Sequence, residues 1–323
     1  MATTPTSSPV KVLAYDHIKV SISDIPKFEK SLQVLGFTKA EDGPDFIGKP
    51  DSIWGSGDAV FCIYKPTHSM AKKHFDLHGN TVFDLSFMVE EGGSAPQELP
   101  GVGGMKHTLV SKRSFKKFPV GRGIEKFDHN TINIEMGQLN QTVCDYLSKF
   151  VLERGQFFDI KTKLTGLKSW VTRSPNLGVQ IPFNEASDPK SQIQEYIEIH
   201  KGPGVQHIAL NTKDIIGTMT AVAQDAATNF EFLGVPDTYY ELAEKRVKIR
   251  ENLKDLEKLR ILVDQDQKGG YLLQIFTQNL FGGFFFELIQ REGNIGFGEG
   301  NFQALFESIE LDQKRRGLSL IHI

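Results

Sequence analysis

The chain has 323 residues, of which 39% are hydrophobic and 24% are charged, which is ordinary for a soluble protein and enough for two domains. Its net charge of −3 lacks the basic surplus of a nucleic-acid-binding surface, and no apolar run is long enough to cross a bilayer. The N-terminus lacks the apolar core of a secretory signal, and two cysteines form no disulfide framework. We therefore expect a cytoplasmic protein without nucleic-acid or membrane partners.

One pattern of strand, turn and helix occurs three times along the chain. Each copy opens with a short strand that contains a histidine, followed by apolar residues at helical spacing. The strands and helical patterns are Tyr15–Ile18 with Asp24–Leu35, Phe127–Asn130 with Leu139–Val151, and Gln206–Ile208 with Asp214–Ala227. Since further strands follow each helix, the sequence predicts repeated βαβββ modules and an α+β fold.

The first half departs from this plan. Glu90–Val102 is rich in Glu, Gly and Pro and cannot easily form the helix that a module needs there. We place the domain boundary within Ser114–Glu125, which predicts a shortened N-terminal domain at 1–124 and a C-terminal domain at 125–323. Two more helices are predicted, from Tyr239 to Leu259 and from Asn301 to Arg316.

Three residues occupy positions that suit a metal centre. His129 and His207 lie in the opening strands of the second and third copies, and Glu287 lies at a similar interval further on, in an apolar strand. A carboxylate in such a strand is costly unless it is paired or bound to a cation. Two imidazoles and one carboxylate form the facial triad of non-haem Fe(II) oxygenases. His17 matches His129 in position, but its copy offers no Glu-bearing strand, so we interpret it as structural. His68, His74 and His78 are expected at the surface.

Several longer strings resemble the 4-hydroxyphenylpyruvate dioxygenases of the vicinal-oxygen-chelate superfamily. They are Phe127–His129, Ile181–Glu185, Gly202–Ala209, Leu272–Thr277, Phe285–Arg291 and Gly296–Phe302 with the helix that follows. The resemblance covers about residues 125–317. It implies two open-barrel domains with a C-terminal helix, and one Fe(II) per chain bound by His129, His207 and Glu287 in the second domain.

The resemblance also implies roles for residues around the metal. Gln206, Gln274 and Asn184 match catalytic positions, the two glutamines near the metal and Asn184 near the phenol. Substrate-binding positions of the family are matched by Ser169, Pro182, Asn184, Gln192, Phe276, Phe285, Phe297, Asn301 and Phe302. Part of the large complement of 24 phenylalanines would then pack against an aromatic ring.

The implied reaction converts 4-hydroxyphenylpyruvate, an aromatic 2-oxo acid, and O₂ to homogentisate and CO₂ in tyrosine catabolism, in a homo-oligomer. The nearest alternative is 4-hydroxymandelate synthase, which would favour other residues at Pro182, Asn184 and Phe276. An extradiol ring-cleaving enzyme shares the module and the ligand types. A non-catalytic metal-binding paralogue is the alternative from a different class.

Overall fold

The computed structural model describes residues 8–41, 48–90, 97–161, 165–225, 230–235, 238–298 and 300–301. These residues form two β-sheets, a first sheet of seven strands and a second sheet of eight. Among the described residues, no helix is both long and apolar enough to span a membrane.

The first sheet has the strand order β2-β3-β4-β1-β5-β7-β6. Its strands are β1 (Val12–Ser21), β2 (Thr38–Lys39), β3 (Ser52–Ser56), β4 (Ala59–Tyr64), β5 (Thr81–Val89), β6 (Glu98–Pro100) and β7 (Lys106–Val110). Helices α1 (Ile25–Val34) and α2 (Ser69–His78) and a 3-10 turn (Val102–Gly104) connect them.

The second sheet has the strand order β13-β14-β15-β12-β8-β11-β10-β9. Its strands are β8 (Ile124–Ile134), β9 (Glu153–Lys161), β10 (Gly166–Arg173), β11 (Gln180–Ala186), β12 (Gly204–Thr212), β13 (Leu262–Gln265), β14 (Tyr271–Phe276) and β15 (Phe285–Glu292). Its helices are α3 (Leu139–Lys149), α4 (Gln192–His200), α5 (Ile215–Gln224), α6 (Thr238–Arg246) and α7 (Leu253–Lys258).

Each sheet consists of two modules that meet along an antiparallel pair of strands, β1 with β5 in the first sheet and β8 with β12 in the second. Three modules contain a strand, one or more helices and three further strands. In the module that begins at β5, the described residues between the strands form a 3-10 turn and no α-helix. The α+β fold of repeated βαβββ modules is thus confirmed.

The predicted helix from Tyr239 to Leu259 is wrong in its continuity, because α6 and α7 are separate helices. The backbone N–H of Lys248 donates to Oε1 of Gln265, 2.8 Å away, and so leaves the helical pattern. The Asn252 side chain then accepts from the Lys254 N–H and caps the start of α7. Of the predicted helix from Asn301 to Arg316, only Asn301 is described, and both it and the preceding Gly300 are helical.

Much of the phenylalanine excess lies in the core where the two sheets face each other. The ring of Phe61 from β4 lies 5.2 Å from that of Phe127 and 5.8 Å from that of Phe286, centroid to centroid. Phe28 from α1 closes the group at 6.1 Å from Phe61. The expectation that His78 lies at the surface is wrong, since it is buried and its Nδ1 lies 2.7 Å from the His200 carbonyl oxygen. The burial of His78 could not be predicted from the local sequence, because its partner His200 is far away in the chain.

Candidate metal centre and cavity

Three adjacent strands of the second sheet carry His129, His207 and Glu287. Strand β12 lies between β8 and β15, and its Ala209 pairs with His129 on one side and with Glu287 on the other. The small alanine leaves space between these two larger side chains. His207 lies two residues earlier on β12 and therefore points to the same face. All three side chains are buried.

The three ligand atoms converge on one point. Oε2 of Glu287 lies 3.3 Å from Nε2 of His129 and 3.5 Å from Nε2 of His207. The other ring nitrogens face acceptors, since Nδ1 of His129 lies 2.8 Å from Oδ1 of Asp128 and Nδ1 of His207 lies 3.0 Å from Oε1 of Gln206. When each Nδ1 carries the proton, each Nε2 is left with a lone pair for a metal ion. The donor set therefore fits a divalent cation.

The electrostatics of the cluster favour a cation at its centre. Burial lowers the pKa of His129, but the Glu287 and Asp128 carboxylates outweigh it and raise this pKa to about 9. Burial raises the pKa of Glu287, but the two histidines bring it down to about 2. For His207, burial outweighs the attraction of Glu287, so its pKa is lowered. Glu287 is thus an ionised carboxylate inside the protein. Its charge is compensated either by a proton on His129 or by a metal ion.

A chain of hydrogen bonds orients the Glu287 carboxylate. Its Oε1 accepts from Nε2 of Gln274 at 2.8 Å, and Oε1 of Gln274 accepts from Nδ2 of Asn301 at 2.9 Å. Oδ1 of Asn301 accepts in turn from the Tyr239 hydroxyl at 2.7 Å. Gln274 and Asn301 were singled out by resemblance, and here Gln274 contacts the candidate ligand Glu287 and Asn301 contacts Gln274. Tyr239 was missed, since nothing in the local sequence of α6 points to this contact.

Aromatic rings enclose the cluster. Phe285 stacks on His207 with ring centroids 4.8 Å apart, and Phe297 packs edge-on against His129 at 5.0 Å. Phe276 pairs with Glu287 in the register of β14 and β15, so it lies on the face of the ligands. All three phenylalanines are buried. Phe302 lies outside the described residues.

A row of polar side chains crosses the same face of the sheet beyond the histidines. Asn184 on β11 pairs with Ser169 on β10 and with Asn133 on β8. Oγ of Ser169, Oδ1 of Asn184 and Nδ2 of Asn133 are buried and have no hydrogen-bond partner among the described residues. Pro182 lies two residues before Asn184, on the same face. Unsatisfied buried polar groups are costly, so this row is suited to a polar group of a ligand.

Asn133 was missed from the sequence, although it could have been found. It follows His129 by four residues on the same strand and so points to the same face. Gln192, at the start of α4, lines a cavity of about 300 Å³ together with Gln206 and Phe285.

The repeated βαβββ modules and the candidate metal centre indicate a protein of the vicinal-oxygen-chelate class. Comparisons with known proteins agree with this assignment. No protein-family model matches the chain. A triple mutant of 4-hydroxymandelate synthase from Streptomyces coelicolor superposes with a TM-score of 0.79 at 26% identity, over 94% of this chain and 99% of that one. The vicinal-oxygen-chelate fold is thereby confirmed.

Curated relatives narrow the assignment. A 4-hydroxyphenylpyruvate dioxygenase of Legionella pneumophila is 39% identical over 300 residues, covering 82% of this chain and 85% of that protein. The protein named hemolysin VllY of Vibrio vulnificus is 37% identical over 308 residues, with the same coverage of 82% and 85%. The chain belongs to the 4-hydroxyphenylpyruvate dioxygenase family.

Proposed function

We propose that this protein is an Fe(II)-dependent 4-hydroxyphenylpyruvate dioxygenase, which converts its substrate and O₂ to homogentisate and CO₂. The observation that carries the proposal is the buried convergence of Nε2 of His129 and His207 on Oε2 of Glu287, with the unsatisfied polar row on the same face. The first feature suits a metal ion and the second suits the phenol hydroxyl of the substrate. Family membership supports the same reaction.

The metal would be held by His129, His207 and Glu287. Iron(II), when bound, supplies the activation of O₂ and leaves open positions for a chelating 2-oxo acid. Two neutral imidazoles and one carboxylate around a divalent ion leave a net charge of about +1, which suits an anionic substrate. Gln206 and Gln274 hold His207 and Glu287 in orientation through their amide groups.

The protein residues orient the aromatic ring. Phe276, Phe285 and Phe297 form apolar walls beside the ligands and exclude water from the reacting groups. At the far end, Ser169, Asn184 and Asn133 offer both donors and acceptors to the ring hydroxyl. Pro182 shapes the same wall. On this proposal the oxo acid binds at the metal and the hydroxyl binds at the polar row, so that the ring lies between them.

Product identification tests the proposal. The protein is loaded with Fe(II) without oxygen, mixed with 4-hydroxyphenylpyruvate and O₂, and the products are separated by chromatography. We expect one homogentisate and one CO₂ to be formed for each O₂ consumed. A His129→Ala variant, which lacks one ligand, serves as the negative control. Unchanged substrate with the loaded wild-type protein would make it a metal-binding paralogue without this activity.

A second candidate function is 4-hydroxymandelate synthesis, because the synthase from Streptomyces coelicolor is similar over nearly the whole length of both chains. That reaction uses the same substrate and oxidises the benzylic carbon. Pro182, Asn184 and Phe276 lie on the ligand face, where they decide how the ring is presented. The appearance of 4-hydroxymandelate instead of homogentisate would establish this alternative.

A further inference from the structure

Arg291 binds Asp128, the residue that precedes the candidate metal ligand His129. It follows Glu287 by four residues on β15, and its Nε and Nη2 donate to Oδ2 and Oδ1 of Asp128, both at 2.8 Å. The same Oδ1 of Asp128 accepts from Nδ1 of His129 at 2.8 Å. Arg291 therefore reaches a candidate metal ligand through a single carboxylate, in the fork geometry that only arginine offers.

The remaining part of the guanidinium holds a different part of the cavity. Nη1 donates to the carbonyl oxygens of Asn294 at 3.2 Å and Gly296 at 2.5 Å. The guanidinium carbon lies 5.4 Å from the centre of the Phe297 ring, and that ring packs on His129. Arg291 thus binds both Asp128, which accepts a hydrogen bond from His129, and the segment 294–297, whose Phe297 packs on His129.

Burial makes these contacts strong. The side chain of Arg291 is 15% exposed and that of Asp128 only 4%. Burial raises the pKa of the Asp128 carboxyl, but Arg291 and His129 outweigh it and hold this pKa far below its usual range. A charged pair in this setting cannot lose one member without leaving the other uncompensated. Arg291 therefore stabilises the Asp128 carboxylate, whose Oδ1 accepts from Nδ1 of His129.

We propose that Arg291 is a positioning residue that couples metal binding at His129 to the order of the segment 294–297. With a metal ion on Nε2 of His129, the ring is fixed, Asp128 is fixed through Nδ1, and Arg291 is held where it binds both carbonyl oxygens. Conversely, an ordered segment holds Arg291 and Asp128 in place and prepares His129 for the metal. The coupling rests on the proposed metal site but not on the reaction that the site performs.

The test compares Arg291→Met with Arg291→Lys in the full chain. Fe(II) affinity is measured without oxygen by competition with a chromogenic chelator, and amide hydrogen exchange of residues 294–297 is measured with and without Fe(II). In the wild type we expect Fe(II) to protect these amides. Arg291→Met is expected to weaken Fe(II) binding by about 10- to 100-fold, because the support of His129 is lost, and to abolish this protection even at saturating metal.

Arg291→Lys tests the ion pair with Asp128 separately from the hydrogen bonds to the carbonyl oxygens of Asn294 and Gly296. A lysine ammonium can pair with Asp128 but cannot also reach both carbonyl oxygens, so Fe(II) affinity is expected to recover to within about 10-fold of the wild type. The amides of residues 294–297 are expected to stay unprotected. A residue with a purely structural role would lose or keep both properties together.

Arg122→Met is the matched control. Arg122 also binds one carboxylate and one backbone oxygen, Asp225 and Val34, each at 2.7 Å, and touches neither the metal ligands nor the cavity. It is expected to lose stability without a change in Fe(II) affinity. A folded Arg291→Met protein with wild-type affinity and wild-type protection would overturn the coupling. Normal coupling without homogentisate would overturn only the proposed reaction, and a wild type that binds no Fe(II) would overturn both.

Discussion

Each of the two sheets has a buried carboxylate at its centre, and the two carboxylates are compensated in different ways. In the second sheet, His129, His207 and Glu287 surround a point that suits a metal ion. In the first sheet, the register of β1, β5 and β7 puts His17, Asp84 and Thr108 at the matching positions. Residue 19, at the place of Thr131, is a lysine. Its Nζ lies 2.9 Å from Oδ2 of Asp84 and 2.9 Å from Oγ1 of Thr108.

In the first sheet, the charge of the Asp84 carboxylate is therefore compensated by the side chain of Lys19. Asp84 is buried, and although burial raises its pKa, Lys19 outweighs that effect and lowers it. His17 is held between Asp16, 2.7 Å from its Nδ1, and Ser86, 3.0 Å from its Nε2. The ammonium group compensates the buried carboxylate as a metal ion would in the second sheet. The comparison teaches that a lysine on the inner face supplies, in the first sheet, the positive charge that a metal ion would supply in the second.

The largest effect is expected at the second centre. Glu287→Ala removes the only carboxylate of the triad, so metal binding should be lost and the rate of substrate turnover should fall by at least about 10³-fold. Thr108→Ala is the matched change in the first sheet. It removes a hydrogen bond to Asp84 and should leave metal binding and turnover unchanged, at a cost of about 1 kcal/mol in unfolding free energy. Metal titration and steady-state kinetics check both variants, and a fully active Glu287→Ala would refute the assignment of the centre.

A smaller but still large effect is expected from Lys19→Met. The variant leaves Asp84 buried without its partner, so the free energy of unfolding should fall by about 3–5 kcal/mol. Lys39→Met is the control, because Lys39 pairs with Glu29 at 2.9 Å with its side chain 53% exposed, and it should cost less than about 1 kcal/mol. Urea unfolding measures both. Equal stability of the two variants would show that the first centre does not depend on an internal cation.

Acid is expected to act on the first sheet through His107. Its Nδ1 donates to the Leu85 carbonyl oxygen at 3.1 Å and its Nε2 accepts from the Tyr146 hydroxyl at 2.8 Å, and burial lowers its pKa to about 4. The unfolded chain, with a histidine pKa of about 6.5, takes up the proton first. The contribution of His107 to the free energy of unfolding is therefore fully present above about pH 6.5. It is lost as the pH falls to about 4, which lowers this free energy by about 3 kcal/mol.

Urea unfolding of the metal-free protein between pH 7 and pH 4 measures this loss. A His107→Gln variant should lose less stability over that range than the wild type. His200, whose burial also lowers its pKa to about 4, keeps its own contribution in both proteins. If the two proteins had the same slope, His107 would not be neutral in the folded state.

The smallest effect is expected at the polar row. Asn133→Ala removes one partner of the ring hydroxyl and should raise KM for 4-hydroxyphenylpyruvate by about 10-fold, which corresponds to roughly 1.4 kcal/mol. Phenylpyruvate lacks the hydroxyl, so its KM should hardly change. An equal rise for both substrates would mean that Asn133 supports the fold of the cavity and not the hydroxyl.

Part of the site could be predicted because its signals are local. His129 and His207 open similar modules, and Glu287 stands in an apolar strand where a carboxylate needs a cation. Alternation along a strand was also readable, and Gln274 and Phe276 do share a face with Glu287. The helix from Tyr239 to Leu259 was wrong because a side chain from β13, Gln265, takes the N–H of Lys248. That contact is invisible in the periodicity of the helix itself.

The sequence by itself determined the modular fold, because the repeated pattern of strand and helix is local. It also offered His129, His207 and Glu287 as candidate metal ligands, whereas the residues around them were indicated only by the resemblance to a known family. The tertiary structure alone decided which distant groups meet. Arg291 finds Asp128 across 163 positions of the chain, and Lys19 finds Asp84 across 65. Such pairs follow from strand order and register, which no local pattern encodes. The contrast between an ammonium group supplied by the protein in the first sheet and the candidate metal site in the second could therefore be seen only after both sheets were assembled.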